Sequence, residues 1–150
     1  MAVFRFVVSS GQKSWQIEKE QSQCPILGKK IDDIFKADFL GLAGYSLKIT
    51  GGTDKDGIPM LKDVEGPVKK LVLLTRGTGF SGKKRQGGKK KKPLLLREGM
   101  RKRKVVRGNT ISQETMQINC AVAEAGSQKI EEILGAGKEK AAEAAKEAKK

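Results

Sequence analysis

Gly77, Gly82 and Lys83 fall at the spacing G-x-x-x-x-G-K, directly after the apolar run "KLVLL" at 70–74. A strand, a glycine-rich turn and a lysine in that order open a phosphate-gripping loop. Such a loop needs a Ser or Thr after the lysine to hold Mg²⁺, and a helix starting there so that its N-terminus faces the anion. Lys84 occupies the Ser/Thr place, and a cation cannot ligate a cation. The following "RQGGKKKK" is a poor helix start, because Gly87, Gly88 and a run of like charges oppose it. Nucleotide hydrolysis therefore stands only as a rival reading. It requires Mg²⁺-dependent ATP or GTP turnover that Lys83→Ala abolishes.

The same residues suit the binding of a polyanion. Between Arg76 and Arg107 there are 14 Lys or Arg and one acid, Glu98, for a net charge of +13. The rest of the chain carries 17 basic and 16 acidic side chains and is close to neutral. One concentrated cationic segment on a neutral domain points to nucleic acid, the commonest polyanion. Taken alone, the segment buries no apolar area and its charges repel, so order is expected only when an anion neutralises it. Lys89, Lys90, Lys91 and Lys92 are point charges for phosphates, whereas Arg97, Arg101, Arg103 and Arg107 can bridge phosphates bidentately or stack on bases. Phe80 is the only aromatic residue there, so recognition by backbone and shape is expected, as for structured RNA. A sequence-independent DNA-binding or chromatin protein is the alternative.

The composition narrows the chemistry further. Histidine is absent, which removes the commonest general base and metal ligand. Cys24 and Cys120 lie far apart without C-x-x-C spacing, and read as two buried thiols in a reducing compartment. No apolar run reaches about 18 residues, so no membrane span is expected. "MAVFRFVVSS" reads as a first strand and not as a signal peptide. No catalytic set, cofactor, metal or small-molecule substrate is expected.

The elements that must position the cationic segment are mostly strands. "VFRFVV" at 3–8 and "SWQIEK" at 14–19 are expected to form a hairpin around the turn Ser9-Ser10-Gly11. "KIDDIF" suits a short strand or a helical turn. Tyr45, Leu47 and Ile49 alternate with polar residues, as in a half-buried strand, and a Gly- and Asp-rich loop is expected at 51–59. "KLVLL" reads as a strand with apolar neighbours on both faces. Ile118, Cys120 and Val122 alternate again. Ser127 caps a short helix that Gly135 ends, and "KEKAAEAAKEAKK" has high helix propensity without an apolar stripe. The expected fold is mainly β: a small antiparallel β-barrel-like domain with a long basic insertion and C-terminal α-helices. Its core domain would span 1–75 plus 108–135, with a polybasic insertion at 76–107 and a helical tail at 136–150.

Residues 49–60, "ITGGTDKDGIPM", are the most specific string in the chain. Gly51 and Gly52 permit unusual backbone, Asp54 can fold back on nearby N–H groups, Asp56-Gly57 is a turn pair, Pro59 stiffens the exit and Met60 returns to the core. A Ca²⁺ loop does not fit, because Gly57 comes too early and no distant Glu follows at the right place. This stretch resembles the signature of the archaeal and eukaryotic small-subunit ribosomal protein six family, the "six-e" family. "GYSLKIT", "KKLVLLTRGTGF" and "REGMRKRKVVRG" resemble further family segments in the same order, so the likeness covers about residues 1 to 125. The Ala/Lys/Glu tail does not resemble the long Ser- and Arg-rich extension of eukaryotic members, which favours an archaeal protein. The resemblance implies a non-catalytic structural constituent of the small ribosomal subunit, in the cytoplasm, bound to small-subunit rRNA and neighbouring ribosomal proteins. Carried onto this chain, the RNA-binding residues would be Lys83, Lys84, Arg85, Lys89 to Lys92, Arg97, Arg101, Lys102, Arg103, Lys104 and Arg107. Gly51, Gly52, Asp54, Gly57, Pro59 and Met60 would build the loop.

Overall fold

The structure is a computed structural model that describes residues 3–84, 95–96, 98–126, 130 and 133. Nine strands account for its regular elements: β1 (Val3–Ser10), β2 (Lys13–Glu20), β3 (Ile34–Lys36), β4 (Ser46–Asp54), β5 (Lys69–Leu74), β6 (Lys83–Lys84), β7 (Leu95–Leu96), β8 (Lys102–Arg107) and β9 (Thr115–Glu124). Two short 3-10 turns lie at Gln21–Gln23 and Asp38–Leu40.

The alternation of "VFRFVVSS" sets the core. Phe4, Phe6 and Val8 point inward from β1 and are fully buried, while Arg5 and Val7 take the other face. β1 pairs antiparallel with β2 and parallel with β9. Phe6 thus lies across from Ile17 on one side and Ile118 on the other, and Val8 across from Trp15 and Cys120. Leu47 and Ile49 of β4 extend this apolar layer, which Ile26, Phe35, Leu40, Leu42 and Tyr45 cover. Phe6 and Phe39 meet edge to face with ring centroids 5.8 Å apart. Cys24 and Cys120 are free and buried, and burial pushes the Cys120 thiol up to about 12.

Two parts of the expected fold need correction. The main sheet runs β2-β1-β9-β4-β3 and is open, a half-barrel with β2 and β3 at its edges. It is also mixed, because β1 and β9 are parallel. Apolar alternation reports which face a residue takes and not the direction of the neighbouring strand. Chain-remote partners such as β1 and β9 have no hairpin to force them antiparallel. The expected C-terminal α-helices are likewise not among the elements, and no α-helix is formed among the described residues. Beyond residue 126 the described residues are Ile130 and Ile133, both with helical backbone, and Ile130 is buried against the core. The 136–150 tail lies outside the described residues. Helix propensity is a small local preference, and apolar burial decides elements in a fold of this size.

The 51–59 loop starts later than expected, since β4 continues through Asp54. Gly52 serves close approach: a Cβ there would sit 2.5 Å from the Gln117 carbonyl oxygen and 3.0 Å from Met60 Sδ. Gly108 is tighter still, with the Gly66 carbonyl oxygen 1.8 Å from where a Cβ would stand.

β5 and β8 form a separate two-stranded sheet. It is tied to the main sheet through residues 59 and 60, which bridge to Thr53 of β4 and Arg107 of β8. Under one face lies a second, smaller cluster of Val64, Leu74, Phe80 and Val106. "KLVLL" is therefore not covered on both faces. Leu71 and Leu73 are more than half exposed.

Candidate nucleic-acid interface

Where β8 ends, the chain buries an ionic cluster. Asp54, at the end of β4, has no exposed side-chain surface. Its Oδ2 accepts from Arg107 Nη1 at 2.5 Å and from Lys69 Nζ at 2.9 Å. The Lys55 N–H donates to Oδ1 at 2.6 Å, and the Gly57 N–H closes the turn onto the Asp54 carbonyl at 2.9 Å. Gly57 takes a φ of +74°, the left-handed region that glycine enters without steric cost. Pro59 accepts from the Arg107 N–H, and Met60 donates its N–H to Gly52 and buries its side chain. The loop residues read from the sequence are thus brought together around Asp54.

Arg107 is the partner that sequence reasoning misplaced. Its side chain is 3% exposed. Nη1 also donates to Glu114 Oε2 at 2.6 Å, and Nη2 to Ser112 Oγ at 2.9 Å and the Pro67 carbonyl at 3.1 Å. Four bonds commit this guanidinium to the interior. Burial opposes its charge, but Glu114 and Asp54 outweigh burial and raise its pKa. Burial likewise pushes the Asp54 carboxyl up, while Lys69, the Lys55 N–H and Arg107 together hold it below the ordinary carboxylate range. Asp54 and Arg107 lie 53 residues apart, and nothing in one sequence pairs them. The one local signal is that Arg107 follows the apolar pair Val105-Val106.

The start of β8, up to Val105, faces water, while Val106 is buried. Arg101, Lys102, Arg103 and Lys104 are exposed, and none has an ion pair among the described residues. Successive strand residues take opposite faces. Lys102 and Lys104 lie across from Leu74 and Val72, and Arg103 across from Leu73. Lys104 Nζ stands 5.9 Å from the Phe80 ring centroid, and that ring is buried and unavailable for base stacking. Lys83 and Lys84 form β6, paired with β7. Arg85, Lys89, Lys90, Lys91, Lys92 and Arg97 lie outside the described residues. Between Gly77 and Phe80 the backbone closes reciprocally, with N–H to carbonyl distances of 2.9 and 3.1 Å. The chain after Gly82 enters a strand and not a helix, so among the described residues no helix N-terminus faces the supposed phosphate site. Among the described residues no group of three His, Cys, Asp or Glu side chains could hold a metal ion.

Comparison with known proteins gives a consistent result. The family model described as Ribosomal protein S6e matches residues 4–95 and 95–135. The small ribosomal subunit protein eS6 of Methanothermobacter thermautotrophicus is 42% identical over 137 residues, covering 91% of this chain and 98% of the relative. Its counterpart in Methanocaldococcus jannaschii is 40% identical, covering 90% of this chain and 93% of the relative. That of Methanosphaera stadtmanae is 41% identical, covering 88% and 92%.

Proposed function

The chain belongs to the ribosomal protein S6e family, and from that membership we propose that it binds small-subunit rRNA through the cationic surface that begins at β8. It is a structural, non-enzymatic component of the small ribosomal subunit, working in the cytoplasm against rRNA and neighbouring ribosomal proteins. The observation that carries the rRNA reading is the run Arg101 to Lys104: four adjacent exposed cations without a carboxylate partner among the described residues. They continue the same sequence segment that concentrates a charge of +13. Cations left unpaired by their own fold favour an external anion. Lys83, Lys84, Arg85, Lys89 to Lys92 and Arg97 belong to the same proposed surface. Arg107 holds the base of β8 in place through Asp54 and so orients the strand without touching RNA.

The mechanism is electrostatic and positional. The half-barrel supplies a fixed frame, and the cations screen phosphates that would otherwise repel as rRNA helices pack. Sucrose-gradient sedimentation of a native lysate at low and then high salt tests this. Co-migration with small subunits that persists through the high-salt wash supports it. Protein that stays at the top of the gradient, or follows DNA, overturns it in favour of a general polyanion grip.

A further inference from the structure

One surface is not explained by phosphate binding. Among the described residues β5 pairs with β8 on one side only, and its other edge belongs to no sheet. On the outward face of this ribbon Leu71 lies across from Val105 and Leu73 across from Arg103. Leu71 is 59% exposed, Leu73 54%, Val68 51% and Val105 44%. Along the free edge runs a groove of about 850 Å³, with Leu61, Val64, Val72 and Leu74 in its lining. An exposed, apolar, unpaired edge strand recruits another strand unless something covers it.

The charges around the groove say what covers it. Val64 accepts from the Asn109 N–H, two residues past the Arg107 that pairs with Lys69. Asp63 and Glu65 therefore sit at the Lys69 end of β5, and both line the groove with Lys70. Arg76 follows the other end of β5 and lines the groove there. Nucleic acid does not fit this surface: two carboxylates repel phosphate at one end, and Leu71, Leu73 and Val105 offer bases no aromatic ring. A second copy does not fit either, because two chains of net charge +14 repel.

We propose that the β5 edge and its outward apolar face form a docking site for an extended segment of another protein, which adds as a strand beside β5. Main-chain hydrogen bonds to the free edge would give affinity. Alternate apolar side chains of the segment would lie on Leu71, Leu73 and Val105, and a carboxylate at one end would meet Arg76. The inference rests on the ribosomal reading only for where the partner is met.

The test places the photo-crosslinking residue p-benzoylphenylalanine at position 71 of the full chain, expressed in its native cells. Adducts are identified by mass spectrometry in whichever gradient fraction holds the protein. The expected result is an adduct to one defined peptide with apolar residues at alternate positions and an acidic residue at one end. A synthetic copy of that peptide should bind the full chain and lose at least tenfold in affinity with Leu71→Lys plus Leu73→Lys, but not with Met116→Lys, which alters an exposed apolar residue elsewhere. An adduct to nucleotides, an adduct to a second copy, or none at all overturns the proposal. So does a peptide whose binding ignores the two lysines. Failure to sediment with small subunits overturns the ribosomal reading instead, and leaves the adduct to be read on its own.

Discussion

At the scale of single residues, the strongest demand in this fold is that the buried charges stay paired. Asp54 and Arg107 are both inside, and removing Arg107 leaves the buried Asp54 with only Lys69 and the Lys55 N–H to compensate it. Arg107→Ala should therefore cost about 3–5 kcal/mol, read as a lower urea midpoint at unchanged slope. A loss below about 1 kcal/mol would mean that water reaches Asp54 and the pairing matters little. The same pair predicts a pH dependence. An unfolded Asp titrates near about 3.9, and Lys69 and Arg107 hold the folded group lower against the opposing effect of burial. The unfolded chain thus binds more protons in acid. The stabilisation is complete above the unfolded value and is lost as pH falls through the folded one. Urea midpoints measured below about pH 4 should fall with acidification, and less steeply in Asp54→Asn. Equal slopes in the two chains would remove Asp54 as their source. These contacts were half legible in the sequence. Asp54, Gly57, Pro59 and Met60 announce a tight self-bonded turn through local chemistry. Arg107 looked like one more cation in a basic run, because only tertiary structure turns it inward.

At the scale of elements, the strands show how much an alternation can reveal. β1, β2, β4 and β9 were readable because each has one face buried and one wet, so that Phe4, Phe6 and Val8, or Ile118 and Cys120, recur at period two. β5 misled for a physical reason. A continuous apolar run reads the same whether a strand is buried between layers or lies at an uncovered edge, and Leu71 and Leu73 belong to the second case. β8 carries the separation of roles that the proposed function needs: its end is locked by Arg107 and its start is free. Replacing Arg101, Lys102, Arg103 and Lys104 together with glutamine should thus weaken incorporation into small subunits, while the melting temperature stays within a few degrees of wild type. Exposed substitutions typically move stability by about 0.5 kcal/mol or less, and loss of the Lys104–Phe80 contact adds about 0.5–1 kcal/mol. Calorimetry and gradient sedimentation of the same variant separate the two effects. A melting temperature that collapses would show that these cations serve the fold.

At the scale of the whole molecule, charge and fold are divided along the chain. The open sheet buries its apolar face with residues before 75 and after 108, and that part is close to neutral. The excess charge is gathered in between, on a frame anchored at both ends by β5 and β8. A chain with its cations spread evenly would repel itself in every direction and attract polyanions weakly from all of them. In the proposed function, gathering them would let one segment meet RNA while the near-neutral remainder folds independently of it. The consequence is a steep salt dependence confined to binding. If roughly 6 to 10 of the cations meet phosphates, affinity for small-subunit rRNA should fall by about 10³ to 10⁵ between roughly 50 and 200 mM salt, taking duplex DNA as the guide. Filter binding of the full chain across that range, with thermal melting at each salt concentration, tests this. The slope of log affinity against log salt should drop by about 3 to 4 in the Arg101–Lys104 glutamine variant, and the melting temperature should barely move with salt in either chain. A slope unchanged by those four substitutions would place the RNA contacts elsewhere on the molecule.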